Sequence, residues 1–396
     1  MSTRGGLAGV FNTFGSDYLA EHALTPTQAK IWRAITACRT AALGGHVEAC
    51  DTCDGSRYVY HSCRNRHCPT CQTRAKEAWL AARRRELLPV PYFHLVFTLP
   101  HALHALVAAC PRRLYETLFA TVSATLTEFA HSERHLGGES AFTLVLHTWK
   151  QDLGRHVHVH ALVAGGALTA AGEWVRPKRG FLFPVKALSR VFRGKFMAAL
   201  EEQRQQTPLT TIADAGDWAR LKAALYRHDW VVYAKQPLGG PEQVLEYLGR
   251  YTHRVAISNE RITGIDAAGV RFRVRADPTS GKKRTVQVAG TEFLRRFLLH
   301  VLPPGFKRIR HYGLLAPSRK GARLPAACAA LGVPPPDPAV IESVALFMAR
   351  VMRLDWTRCP LCGVGHRVVC RALPRVRAGS ASYPLRGISS RGPPVE

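Results

Sequence analysis

Along this chain, apolar positions repeat with a helical period in some stretches and with a period of two in others. The changeovers mark its elements. VPYFHLVFTLP (90–100), aromatic and β-branched between two prolines, predicts a buried strand. On either side, AKEAWLAARRRELL (75–88) and RRLYETLFATVSATLTEFA (112–130) carry apolar residues at helical spacing. FTLVLHTW (142–149) and HVHVHALVAGG (156–166) read as two strands joined through KQDLGR, a polar, glycine-containing hairpin loop.

Residues 167–229 are expected to be mostly helical, followed by a strand in WVVYAKQP (230–237) and a helix in PEQVLEYLGRYTHR (241–254) that starts at Pro241. RVAISNERI, GVRFRVRA and KRTVQVAG predict further strands, and TEFLRRFLLHVL an amphipathic helix. At the N-terminus the pattern is an arm and then a short helix capped by Thr25, with Pro26 at its first position. Beyond Pro303 the chain is basic and irregular, with a proline run at 334–336 and an Arg, Pro, Gly and Ser-rich tail from about 372 that is expected to be disordered.

These elements divide the chain into an N-terminal arm and cysteine-rich segment (1–85), a mixed α and β domain (86–302), a basic region (303–371) and the tail (372–396). Charge then narrows the partner. Lys and Arg number 55 against 28 Asp and Glu, a formal net charge of +27, which suits a polyanion, with nucleic acid first. No apolar run approaches the twenty residues of a membrane span, and MSTRGGLAGVFNTFG lacks the apolar core of a signal peptide, so a cytoplasmic protein is expected. In that compartment the 11 cysteines stay reduced, and their clustering points to metal.

CRTAALGGHVEACDTCDGSRYVYHSCRNRHCPTC (38–71) holds two CxxC knuckles, Cys50 with Cys53 and Cys68 with Cys71, at zinc-finger spacing. Together they predict one closed zinc site, and Cys38, His46, Cys63 and His67 would supply a second. CPLCGVGHRVVC (359–370) offers Cys359 and Cys362, with His366 and Cys370, as a separate small knuckle. His46 and Glu48 before a CxxC crudely match the zinc-deaminase pattern. There, however, a strand and a helix must intervene, and only Ala49 separates Glu48 from Cys50. Arg64, Asn65, Arg66 and Arg74 lie among the ligands, within reach of phosphates.

On a strand, residues i and i+2 share a face about 6.6 Å apart, so His158 and His160 can lean on one ion, whereas His156 and His160 cannot. A hairpin centred on Asp152 and Leu153 sets His147 opposite His158, and His147, His158 and His160 become a candidate metal triad. Zinc, manganese and magnesium all remain open to it. Tyr247 and Tyr251 stand one helical turn apart, which alone would mark core packing. Beside a metal, a tyrosine can instead attack a phosphodiester.

Taken together, RHVHVHALVAGG, YLGRYTHRVAISNERI, SCRNRHCPTCQ and FKRIRHYGLLAPSRK resemble the HUH-type tyrosine transposases of the IS91-like family, over roughly residues 15–320. That resemblance implies an α+β fold with a central antiparallel sheet of HUH-nuclease type flanked by helices, a small N-terminal zinc-binding domain and a basic C-terminal extension. It further implies Mg²⁺ or Mn²⁺ held at His158 and His160, nucleophiles at Tyr251 and Tyr247, structural zinc, and single-stranded DNA at element ends as substrate. Tyr251, the residue matching single-tyrosine relatives, ranks first. Where family members often have HPHVH this chain has HVHVH, which keeps the ligands.

Arg64, Arg66, Arg254, Lys307, Arg308 and Arg310 are the expected DNA contacts. The aromatics interleaved with cations in RGFLFPVKALSRVFRGK and FKRIRHYGLL fit either a single-strand groove or an amphipathic face. Two alternatives remain open: a replication initiator or relaxase of the same chemistry, and a non-catalytic zinc-dependent DNA-binding protein.

Overall fold

Strand-forming runs of this chain gather into antiparallel sheets and helical ones cover them, in a computed structural model. It describes residues 6–178, 180–206, 212, 214–238, 243–244, 249, 255–276, 281–335, 346, 349–350, 355 and 357–376. The helices are α1 (Leu7–Glu21), α2 (Pro26–Thr36), α3 (Gln72–Arg84), α4 (His104–Ala109), α5 (Pro111–His131), α6 (Val185–Gln206), α7 (Ala215–Tyr226), α8 (Gly290–Leu298) and α9 (Lys320–Ala330). The strands are β1 (Gly45–Cys50), β2 (Ser56–Tyr60), β3 (Tyr92–Thr98), β4 (Ala141–Trp149), β5 (Arg155–Ala164), β6 (Ala167–Leu168), β7 (Trp174–Val175), β8 (Val232–Leu238), β9 (Ile262–Asp266), β10 (Gly269–Arg275), β11 (Lys283–Val288), β12 (Ile309–Gly313) and β13 (Arg367–Leu373).

Two units make up the chain, Met1–Thr36 with Arg64–Val340 and Ala37–Cys63 with Ile341–Glu396, a division different from the one its composition suggested. In the larger unit a five-stranded antiparallel sheet runs in the order β12-β4-β5-β3-β8. One face of it carries Phe93, Leu95, Phe97, Leu144, Leu146, Val159, Ala161 and Val163, all packed under α5 and α6 in one apolar core. Burying each large side chain there contributes about 1.5–3 kcal/mol. The alternation of strands then places His94, His147, His158 and His160 on the opposite face. At one end that face is capped by a second core of Tyr92, Ala141, Leu162, Val244, Leu314, Leu315 and Leu324.

A second sheet of the same unit, β11-β10-β9, packs Phe272 edge-on against Phe293 of α8, with ring centroids 5.5 Å apart. Residues 7–21, expected as an arm, form α1. Their apolar positions Leu7, Val10, Phe11, Phe14 and Tyr18 follow helical spacing and are buried, with Phe11 edge-on to Phe297 of α8. The expected cap of α2 is a capping box: Thr25 N–H donates to Gln28 Oε1, and Gln28 N–H donates to Thr25 Oγ1. RVAISNERI becomes a strand only from Ile262. After Pro303 the basic stretch is ordered as β12, paired to β4, and then α9.

The smaller unit is a three-stranded sheet, β13-β1-β2, in which β13 lies antiparallel to β1. The C-terminal segment thus completes a sheet begun by residues 45–60. Among the described residues no helix is long and apolar enough to cross a membrane.

Candidate functional site

Three histidines converge on the face of the five-stranded sheet opposite its apolar core. The β4–β5 hairpin has the expected register, with His147 opposite His158 and Val145 opposite His160. One ring nitrogen from each of His147, His158 and His160 lies within 4.8 Å of the other two. His158 Nδ1–H donates to the His156 carbonyl at 2.9 Å, which leaves its Nε2 lone pair free. His158 Nε2 lies 3.1 Å from His160 Nε2. Two ligands about 2.1 Å from a shared cation are separated by about 3.0–3.4 Å in octahedral or tetrahedral geometry, so the donor set fits a metal ion. Burial pulls His158 down to about 4 and holds His160 well below its usual value, where neighbouring imidazoles add to the effect. Both rings are therefore neutral near pH 7, the form that ligates.

A fourth histidine belongs to this group and was not anticipated. His94 Nε2 lies 2.8 Å from His160 Nδ1. It offers an acceptor for Nδ1–H of His160, the tautomer that frees Nε2 for metal. Its signal in the sequence was slight: one imidazole inside the otherwise apolar strand VPYFHLVFTLP. Lys235, opposite His94 on β8, is exposed, and its charge pushes His94 and His160 further down.

Tyr247, Tyr251 and Arg254, and the side chain of Arg74, lie outside the described residues. Two described neighbours of the tyrosines are fixed by packing. Val244 is fully buried, and a Cβ added to Gly249 would approach Leu80 Cδ1 of α3 to 2.9 Å.

In the smaller unit Cys50, Cys53, Cys359 and Cys362 form one group. Cys50 Sγ lies 3.7 Å from Cys362 Sγ, and Cys53 Sγ lies 3.8 Å from Cys359 Sγ. These separations are far beyond a disulfide bond and match the edge of about 3.8 Å of a thiolate tetrahedron with Zn–S near 2.3 Å. Backbone N–H groups of Val364 and Gly365 draw the Cys362 thiol down to about 6, and those of Cys362 and Leu361 lower Cys359. The donor set fits structural zinc.

This grouping corrects the pairing expected from spacing. Cys50 and Cys53 are completed by Cys359 and Cys362 rather than by Cys68 and Cys71, and CPLCGVGHRVVC is no separate knuckle. Cys370 Sγ faces the Val47 carbonyl, and His366 N–H donates to Asp51 Oδ1. His46 is no ligand either, since its Nε2 meets buried Glu48 at 3.2 Å. Nor is His67, whose Nδ1–H donates to Asn65 Oδ1 while Nε2 accepts from Leu302 N–H, so both nitrogens are occupied. Of the remaining thiols in residues 38–71, Cys38 and Cys63 belong to the smaller unit and Cys68 and Cys71 to the larger.

Several expected DNA contacts instead hold the larger unit together. Arg66 donates to the carbonyls of Pro303 and Phe306. Arg308 is buried, and desolvation, aided by the charge of Arg66, pulls its guanidinium down to about 9. Arg310 grips both carboxylate oxygens of Glu116, at 2.6 and 2.8 Å, over the rings of Phe119 and Phe306. Phe183, Phe192 and Phe306, candidates for base stacking, are core residues. Arg64 and Lys307 remain exposed.

Neutral buried histidines away from the triad set an acid limit on the fold. His300 is pulled down to about 4 by burial, its Nε2–H donating to the Leu153 carbonyl and its Nδ1 accepting from Thr148. His311 is lowered to about 3, again by burial, with the Arg83 charge assisting. Their folded-state values lie below the unfolded value near 6.5, so the unfolded chain takes up protons first as pH falls. Stability is complete above about pH 6.5 and declines toward pH 4. Thermal melts should show Tm dropping by several degrees or more between pH 7 and about pH 5. A Tm flat over that window would contradict the neutral assignment.

Residues 141–323 match the family described as "Putative transposase", and residues 10–99 match the family described as "Transposase zinc-binding domain". The chain is 43% identical over 373 residues to "Putative transposase y4qJ" of Sinorhizobium fredii, across 91% of this chain and 94% of that protein. It is 28% identical over 353 residues to "Transposase for insertion sequence element IS801" of Pseudomonas savastanoi pv. phaseolicola, across 87% of this chain and 84% of that protein. A metal-free structure of the conjugative relaxase TrwC in complex with OriT DNA covers 61% of this chain and 72% of its own at 12% identity. Its TM-score of 0.23 is too low for the likeness to carry weight.

Proposed function

The chain belongs to the IS91-like transposases, and from that premise we propose that it nicks and rejoins single-stranded DNA at insertion-sequence ends, by a rolling-circle route through a 5′-phosphotyrosine. The observation that carries this reading is the convergence of ring nitrogens from His147, His158 and His160 on one face of the sheet. These residues would hold Mn²⁺ or Mg²⁺, and a divalent cation bound there polarises the nonbridging oxygens of a phosphodiester.

The chain's own chemistry follows from its tyrosines. The oxygen of Tyr251, or of Tyr247, bonds to phosphorus as the bond from phosphorus to the 3′-oxygen breaks. The phenol loses its proton to solvent, and the departing oxygen gains one to become a 3′-hydroxyl. The phosphotyrosine keeps the phosphodiester's free energy, so a 3′-hydroxyl can later displace the tyrosine and reseal the strand without ATP. Two tyrosines permit two successive transfers.

Structural zinc completes the smaller unit, held by Cys50, Cys53, Cys359 and Cys362. Arg64 and Lys307 are left to meet phosphates, and the exposed ring of Tyr233 on β8 suits base stacking. Such a protein works in the cytoplasm, at the nucleoid.

The test mixes the full chain with Mn²⁺ or Mg²⁺ and a 3′-labelled single-stranded oligonucleotide carrying an element end. A denaturant-resistant labelled adduct is expected, and none with Tyr247→Phe/Tyr251→Phe. As much adduct from the double variant as from the parent would overturn the nucleophile assignment.

A further inference from the structure

Among the described residues outside the histidine face, exposed cations cluster on the sheet of β9, β10 and β11. GVRFRVR turns Val270, Phe272 and Val274 inward and leaves Arg271, Arg273 and Arg275 exposed on the other side. The register adds Gln287 opposite Arg271, Thr285 opposite Arg273 and Lys283 opposite Arg275, all exposed. Asp266 neutralises one of these cations, at 2.8 Å from Arg271. Among the described residues, no acidic partner is recorded for Arg273, Arg275 or Lys283.

Like charges directly opposite each other on a sheet are destabilising. Arg275 beside Lys283 is therefore unfavourable for the fold by itself, and a polyanion laid across the face would relieve the repulsion.

We propose that this face binds duplex DNA next to the strand being cut, a separate surface from the histidine end of the larger sheet. The inference rests on the reading of the chain as a DNA strand transferase. Duplex is favoured over single strand by what the face lacks. A single-strand groove presents aromatic platforms for stacking, and here the one ring of β10, Phe272, is turned into the core. What remains is cations for phosphates, with Thr285 and Gln287 between them as groups able to reach base edges. Phe272 packed on α8 holds this three-stranded sheet from behind.

The experiment compares the full chain with its Arg273→Gln/Arg275→Gln/Lys283→Gln variant on two probes. The first is a fluorescent duplex taken from the terminal sequence of the element, titrated at several salt concentrations. The second is a short single-stranded oligonucleotide holding only the cleavage site, scored for covalent adduct. For the variant we expect duplex affinity at least tenfold lower and a salt dependence shallower by about 2 to 3 in log–log slope, one phosphate contact per cation. Adduct formation on the single strand should stay within about twofold of the parent, and the melting temperature should not fall, because only exposed positions change and like-charge repulsion is relieved.

An unchanged duplex affinity and salt slope would overturn the proposal while leaving the nuclease reading intact. Equal weakening on both probes would make the face part of the single-strand path and overturn the duplex assignment. Parent chain that binds the duplex through this face yet never forms an adduct would support the surface and sink the nuclease reading. Should the triple variant melt early, Lys283→Gln alone, expected to lower the slope by about 1, decides the matter.

Discussion

His158→Ala/His160→Ala should lower the rate of covalent adduct formation by three orders of magnitude or more while leaving oligonucleotide binding nearly intact. A cation that polarises a phosphodiester is worth several kcal/mol, and each 1.4 kcal/mol is tenfold in rate. Both imidazoles are neutral, the form that ligates, and His158 has its Nδ1 fixed by the His156 carbonyl. His94→Gln gives a graded control. It disturbs only the group behind His160 and should weaken metal affinity about ten- to a hundredfold, with activity recovering at high Mn²⁺. His156→Ala keeps the carbonyl that positions His158 and should change the rate by no more than about threefold. Single-turnover adduct assays against metal concentration separate these cases, and a double variant as fast as the parent would refute the triad.

Cys359→Ala is expected to abolish zinc binding at the Cys50, Cys53, Cys359 and Cys362 set and to unfold the smaller unit without melting the larger. Structural zinc in comparable short segments carries about 10–16 kcal/mol of binding free energy that is also folding free energy. A three-stranded sheet of five to seven residues per strand has little else to hold it. Loss of the ion should expose residues 45–60 and 367–373 to protease together, because β13 pairs with β1 along its length. Cys370→Ala, whose thiol faces the Val47 carbonyl, should retain zinc at that set. Metal analysis with limited proteolysis checks both variants. Full zinc content after Cys359→Ala would show that the four thiols do not share an ion.

What the sequence revealed depended on how local each feature is. The triad could be read because a five-residue turn dictates the register that brings His147 to His158. The zinc set that unites Cys53 with Cys359 spans 306 positions, and nothing in CxxC spacing says which distant knuckle completes it. Spacing favoured Cys68 and Cys71 because they were near. Strand β12 was hidden by its charge. Arg310 alternates with Ile309 and His311 and points toward the apolar side, where Glu116 and Phe119 receive it, so a core-facing position looked like a surface one. Arg66, bonded to the carbonyls of Pro303 and Phe306, and buried Arg308 likewise read as DNA contacts only because their charge hid an inward position. Helix α1 was obscured by glycine and threonine between its apolar positions, although those positions keep the helical period.

The most direct test of the account is to digest the metal-formed protein–oligonucleotide adduct and locate the nucleotide mass on a peptide by mass spectrometry. The expected result is a modified Tyr251 or Tyr247, formed only with Mn²⁺ or Mg²⁺ and missing from His158→Ala/His160→Ala. An adduct on another residue, such as the exposed Tyr233, or one formed equally well in chelator, would contradict it.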